Sequence, residues 1–495
     1  MLPLIHSCVT INSERIENNL NTIKVYCIIK NSVYGMTGVK MANPMADKYA
    51  KDMTQGDPTR LILAFMLPMM MGNIFQQFYN IVDTIIAGRF IDAKALAAVG
   101  STGHVTNLFF ALGNGLATGI GIVVSQFFGA GNMKGVKKVI TNALVIVTAT
   151  SVFVGLIGFV FSRPVLTYVM KTPEDILENA VAYMSITCIG FFGTALYNTI
   201  SYIMRGIGDS KTPLYFLIIS SFLNVAMDLV FVIAFGMGVS GLAIATITAQ
   251  ILSAVCSITY AFFKNPVFKI DKSDWKMDPH IIIKCYKIGG SMALQSGLVA
   301  LSFVILQRVI NSFDSVVVAA FTTTSKIESL VNMQFKALQD SLSTFTGQNI
   351  GAKQGKRVRK GFQNGMKMMI LYAVVMIIVM GLFGDVLVKI FIDSSETDII
   401  AYGSKAMRIL SYFYLPLGMI YVCRGTLNGA GDAKFPAISG ASEMIGRIIF
   451  PALLCSLPFI GAWGLWISTG ITWTIVGVTA FIRFNMKDWR GGLDI

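Results

Sequence analysis

Uncharged apolar runs of twenty or more residues recur along this 495-residue chain, and they constrain its fold more than any other feature. A helix needs about 20 largely apolar residues to cross the hydrocarbon core of a bilayer. Soluble domains carry roughly a quarter charged residues, whereas here 13% are charged and 54% hydrophobic. Those proportions exclude a soluble enzyme, a nucleic-acid binder and a secreted disulfide scaffold. They predict an all-α polytopic membrane protein embedded in lipid. Reading the runs against their charged punctuation gives about twelve spans, at 61–88, 95–127, 139–161, 180–204, 214–235, 239–263, 282–307, 316–347, 364–384, 401–423, 435–457 and 462–482.

The net charge of +14 is a loop property. One alternate set of loops holds sixteen Lys and Arg residues, among them Lys134, Lys137, Lys138, Arg205, Lys211, Arg357 and Lys360; the other set holds seven. Basic loops face the cytoplasm, and the basic set shares its side with both termini. The chain is therefore expected to be multi-pass in the cell inner (plasma) membrane with both ends cytoplasmic. The seven cysteines show no metal or disulfide spacing, and Cys188, Cys256, Cys423 and Cys455 sit inside apolar runs as small apolar residues. His6, His104 and His280 are too far apart to form a metal site. Residues 1–52 lack span or signal character and are expected to form a disordered cytoplasmic tail. Patterned sequence starts at Met53, so Met41, Met45 and Met53 are each candidate initiators.

The chain also repeats itself. Gly206-Ile207-Gly208-Asp209-Ser210-Lys211-Thr212-Pro213 matches Gly429-Ala430-Gly431-Asp432-Ala433-Lys434-Phe435-Pro436 at five of eight positions, at an offset of 223. Gly238, Gly241 and Leu242 recur at the same offset as Gly461, Gly464 and Leu465, and Gln126-x-x-Gly129-Ala130 recurs as Gln348-x-x-Gly351-Ala352. Two homologous six-span halves follow. Residues 53–264 form the first lobe, 265–280 a cytoplasmic linker, 281–484 the second lobe and 485–495 a cytoplasmic tail. Six spans per half give both halves the same direction, with a binding cavity between them, an arrangement suited to rocking transport.

Positions at which the halves differ are the informative ones. In the first span Asn73, Gln76, Asn80 and Asp83 share a helix face, and in the fifth Ser220, Asn224 and Asp228 form an i, i+4, i+8 stripe. The second-half counterpart of Asp83 is Ile305, and that of Asp228 is Pro451. Acids inside a membrane are costly and mark function by default. Lys336 with Asp340, and Glu443 with Arg447, stand at i, i+4 and are expected to neutralise each other. Glu328 has no basic partner at i±4 and is a candidate for contacting a cationic substrate.

From Met53 onward the chain resembles the multidrug and toxic compound extrusion (MATE) transporters of the NorM/DinF-like bacterial branch. The resemblance rests on Met53-Thr54-Gln55-Gly56-Asp57-Pro58, Phe75-Gln76-Gln77-Phe78-Tyr79-Asn80, Val82-Asp83-Thr84, Ser343-Thr344-Phe345-Thr346-Gly347-Gln348-Asn349 and the paired Gly-x-Gly-Asp-x-Lys-x-Pro loops. It implies a V-shaped two-lobe antiporter, working as a monomer and without a cofactor, that exports cationic lipophilic compounds in exchange for Na+ or H+. It assigns the coupling ion to Asp83, Asn224, Asp228 and Thr246, and helix bending to Pro68. Phe75, Gln76, Phe78, Tyr79, Asn80, Gln295 and Glu328 are the substrate-cavity candidates. Some relatives carry acids in the seventh and tenth helices. Here those spans offer Gln295 and Gln307, and Arg408 and Arg424, so no second ion site of that type is expected. The alternative function is a flippase for a lipid-linked precursor, which would need several unpaired bases in its cavity.

Overall fold

The computed structural model describes residues 50–486, with only the backbone of Ala93, His104 and Leu112. The expected tails at 1–52 and 485–495 fall outside this range except for their inner ends. Of the first, residues 50–52 are placed: Ala50 is buried and the Lys51 amide donates to the Ile207 carbonyl at 3.0 Å.

The described residues contain no strand. The helices are α1 Pro58–Ile86, α2 Ala93–Gly129, α3 Met133–Pro164, α4 Glu174–Gly206, α5 Lys211–Asp228, α6 Gly238–Lys264, α7 Pro279–Ile310, α8 Ser315–Gly351, α9 Gly355–Lys389, α10 Thr397–Ser411, α11 Tyr414–Ala430, α12 Lys434–Cys455 and α13 Gly464–Asn485. Side-chain caps begin many of them. Asp57, Asp92, Asn132, Asp278 and Asp314 each accept from a backbone amide of the following first turn, at 2.6–3.1 Å.

Ten of these helices, among the described residues, are long and apolar enough to cross a membrane, and an eleventh crossing is made by α10 and α11 together, bent by 52°. The bend has a local cause: Pro416, in the first turn of α11, has no amide to donate back to Tyr412, so a continuous helix through 401–423 is interrupted. The remaining expected span falls on α8. Its 37 residues are ample for a crossing, but Lys326, Glu328, Lys336 and Asp340 make it too charged to pass as a plain apolar segment.

The repeated motifs mark the joints of the fold. Gly208 and Gly431 both adopt left-handed backbone, at φ of +91° and +83°, which turns the chain out of α4 and α11. Asp209 and Asp432 then accept from the amides of Lys211 and Lys434, starting α5 and α12. The third repeat joins the two halves. The Gln126 side chain donates to the Gly429 carbonyl at 3.1 Å, and Gln348 donates to the Gly206 carbonyl at 3.0 Å. Gly129 lies against the backbone of Gln348, and Gly351 against that of Gln126, at distances that leave no room for a Cβ on either glycine. The same close approach continues along α2, where Gly115 and Gly119 face the α7 backbone at Ala293 and Gly289.

The larger buried clusters do not respect sequence order. One runs from Leu306 to Phe484 but also takes in Met53, from the segment before α1, and Leu61, Ile62, Phe65 and Met69 of α1. The other extends from Leu116 to Phe268 and adds Ile281, Cys285, Ile288 and Met292 from the start of α7. Each half thus lends the first turns of its first helix to the core of the other. Pro68 lies inside α1 just before the last of the α1 residues in that core, Met69.

Candidate cation site and substrate cavity

The first half gathers its acids where α1, α5 and α6 meet. Gly72 of α1 faces Leu214 and Leu217 of α5, which allows the two helices to run side by side. Further along, the carboxyl groups of Asp83 and Asp228 come within hydrogen-bonding reach of one another. Asp228 is fully buried and Asp83 half-buried. One turn before Asp228 the Asn224 amide donates to the Thr246 hydroxyl of α6 at 3.4 Å. All four expected ion-site residues therefore belong to one cluster.

The backbone changes character beside both acids. π-helical turns follow at Ala87–Ile91 on α1 and, immediately after Asp228, at Leu229–Ala234 on α5. Such turns are rare and frequent at functional sites, although a third, at Val165–Val169, packs on α3 and α4 instead. The two beside the acids touch each other. Ile86, Ala87, Val232 and Leu242 form a buried apolar cluster there, with Val82 and Tyr183 packed against it. Tyr79 stands one turn before Asp83 on α1, and both Tyr79 and Tyr183 are near enough to feel the charge of both acids. Tyr183 is the site residue that sequence reasoning missed. It stands in α4 among Asn179, Ser185 and Thr187, none of them charged, and nothing in the sequence ties it to the acids of α1 and α5.

Among the described residues, Asp83 Oδ1, both carboxylate oxygens of Asp228, and Asn224 Oδ1 are buried without a hydrogen-bond donor. An unsatisfied buried oxygen is expensive, and a carboxylate more so. Four such atoms in one cluster need a proton, a cation or both. The set contains oxygen only, which suits a hard cation rather than a thiolate- or imidazole-seeking metal.

The other candidates divide. Phe75 and Tyr79 are half-buried along α1, whereas Gln76, Phe78 and Asn80 are exposed. Gln295 and Glu328 belong instead to the second half, which has its own cavity of about 320 Å³ lined by both acids and bases. There Glu443 is held by two guanidiniums, Arg447 at 2.8 Å and Arg424 at 2.7 Å. The expected Glu443–Arg447 pair is thus one side of a triad. With its amide oriented to match donors to acceptors, Gln295 accepts from Arg424 Nε at 2.8 Å. Lys336 and Asp340 do not form the expected ion pair among the described residues. They line different cavities, Lys336 the large one and Asp340 a small one shared with Tyr202 and Arg205 of α4.

The sequence profile described as MatE matches residues 68–230 and again residues 291–453. The two matches begin at the same 223-residue offset as the repeated loops. The chain belongs to the MATE family. MATE proteins are transporters, and this one is a multi-pass membrane protein rather than an enzyme. Among curated relatives, the "Probable multidrug resistance protein YpnP" of Bacillus subtilis is 30% identical over 89% of this chain and 98% of its own length. The "FAD transporter" of Shewanella oneidensis is 22% identical over 85% of this chain and 93% of its own length. A solved structure described as the outward-facing conformation of a multidrug resistance MATE family transporter superposes with a TM-score of 0.82 at 21% identity, covering 92% of this chain and all of the other. MATE membership thus accounts for both the fold and the duplication.

Proposed function

We propose that this MATE protein is a secondary active antiporter that exports cationic lipophilic compounds across the plasma membrane in exchange for Na+ or H+, with both termini in the cytoplasm. The observation that carries the reading is the cluster of undonated oxygens on Asp83, Asp228 and Asn224. While the site lacks its ion, the two carboxylates are negative and attract a cationic substrate against aromatic surfaces such as Phe75 and Tyr79. Cation–π contacts of that kind contribute about 0.5–2 kcal/mol each. Arrival of the coupling ion at Asp83, Asn224, Asp228 and Thr246 cancels that attraction and favours release. Exchange demands that the two ligands stabilise opposite states, because equal preference would shift nothing.

The curated relative named as a multidrug resistance protein supports the substrate class. The matched Gln126 and Gln348 contacts support alternating access, since they close one end of the molecule through bonds that can be broken and remade. The flippase alternative draws less support, because Arg424 and Arg447 are both tied to Glu443, which leaves Lys336 as the one cavity base without an ion pair among the described residues, where a flippase would need several.

The test is ethidium efflux from proteoliposomes under an imposed Na+ or pH gradient. Wild type should export under one of them, and Asp83→Asn should lose coupled export while reconstituting normally. Export by Asp83→Asn at the wild-type rate overturns the assignment.

A further inference from the structure

The cavity of the second half holds an imbalance of charge that the ion site does not explain. Both oxygens of Glu443 are taken, Oε1 by Arg447 and Oε2 by Arg424, so one negative charge is shared between two positive ones. Arg424 also donates to Ser439 at 2.7 Å, and Arg447 to Ser302 at 3.3 Å, while Arg447 stacks over the Phe303 ring at 4.0 Å. A guanidinium has five N–H donors in a fixed fork. These bonds, with the Gln295 contact, leave donors on both arginines uncommitted among the described residues, and both arginines line the cavity.

The remaining charges do not close the account. Lys336, an exposed residue on the cavity wall, makes no ion pair within 4 Å among the described residues, and neither does Glu328, although Asp340 one turn along α8 feels the charge of Lys336 and Glu328 that of Arg447. One Glu328 oxygen accepts from Asn332 at 3.0 Å, and Asn332 in turn accepts from Tyr421 at 3.3 Å. Three cations therefore face two acids across a cavity of about 320 Å³ with the rings of Phe303 and Tyr421 in its wall. Planar forks of uncommitted donors match the two oxygens of a carboxylate.

We propose that this cavity is a binding subsite for the carboxylate of an aromatic acid or zwitterion, with Arg424, Arg447 and Lys336 supplying the positive field and Glu328 opposing it. The inference deepens the exporter reading, because it gives the second half a ligand chemistry opposite to that of the acid cluster in the first. Glu328 then selects against simple anions and favours compounds that carry a positive charge as well.

The experiment is equilibrium binding to the full-length protein in lipid nanodiscs, read by dansyl fluorescence and corrected with empty nanodiscs. The probes are dansylglycine, which carries a free carboxylate, and its neutral amide of nearly equal size. Dansylglycine should bind more tightly than the amide by on the order of tenfold, a ratio equivalent to about 1.4 kcal/mol. Lys336→Gln should weaken dansylglycine by about threefold, and Glu328→Gln, whose amide can still accept from Asn332, should tighten it by about as much. The amide should respond to neither. Equal binding of the two probes overturns the proposal, as does a change of the same sign in both variants, which would indicate a merely structural effect. None of these readings involves transport, so failure here is distinct from failure of the ethidium assay. Retention of the carboxylate preference in Asp83→Asn would keep the two sites separate.

Discussion

Gln126 and Gln348 perform the same act in opposite directions. Each sends its side-chain amide across to a glycine carbonyl of the other half, at 3.1 Å to Gly429 and 3.0 Å to Gly206. Only Gln348 does more: its oxygen also accepts from the Met53 amide at 2.8 Å, and Asn349 and Arg357 bind the Met53 carbonyl at 3.2 and 3.0 Å. The closure is symmetric in plan and reinforced on one side by the segment that leads into α1.

This asymmetry predicts unequal mutants. Gln348→Ala strands the buried Met53 amide and the Gly206 carbonyl, each worth about 1–3 kcal/mol when unsatisfied. Gln126→Ala strands only the Gly429 carbonyl. Hydrogen exchange across 122–130 and 345–353 should therefore accelerate more in Gln348→Ala than in Gln126→Ala. Equal acceleration would contradict the reinforcing role of Met53.

Gly129 and Gly351 offer a steric test of the same joint. A Cβ on Gly129 would enter the Gln348 backbone, which cannot yield as a flexible side chain could. Gly129→Ala should hold this end apart and raise the labelling rate of a cysteine placed at Ser125, itself buried, by at least several-fold. A labelling rate unchanged from that of the same cysteine beside Gly129 would mean that the helices simply slide.

The acid cluster predicts non-additivity. Because Asp83 and Asp228 share one site, Asp83→Asn and Asp228→Asn should each abolish gradient-driven ethidium efflux, and the double variant should lose nothing further. If one acid acts alone, the other single variant will retain most of its transport.

The Arg–Glu–Arg triad predicts a stability effect. Glu443→Gln leaves the buried guanidinium of Arg447 and the half-buried one of Arg424 without their counter-charge. Breaking a buried pair by removing one partner costs about 3–5 kcal/mol. Thermal unfolding in detergent should fall clearly for Glu443→Gln and hardly at all for Glu328→Gln, which has no ion pair to lose. A fall of equal size in both would mean that the triad is not the stabilising element.

Much of this was legible in the sequence. Apolar runs located the helices because lipid requires length and composition rather than pattern, and motif offsets exposed the duplication. The cluster of Asp83, Asn224 and Asp228 was readable because asymmetry within a repeat singles out residues that folding does not need. What escaped was long-range pairing. Arg424 reads as a charge at a span's end, and its partner Glu443 lies 19 residues away on the next helix, beyond any i, i+4 rule. Lys336 and Asp340 satisfy that rule and yet serve different cavities, because neighbours on α4, α11 and α12 decide where each is accommodated. The bend at Tyr412 was hidden because apolarity is unbroken there, although Pro416 carried the signal.

The path of α1 through the molecule has a mechanical consequence. Its first turns, at Leu61, Ile62 and Phe65, are embedded among residues of the second half, while Asp83 near its far end is packed with residues of the first. A single rod clamped at opposite ends by two bodies cannot keep its shape when those bodies turn against each other. Pro68 interrupts the ladder of backbone bonds inside the first clamp, just before Met69, and Asn73 still donates to the Met333 carbonyl, so the compliance must lie between Asn73 and Asp83. Under the proposed assignment, an ion arriving at Asp83 would act on a rod whose other end is seated in the second half.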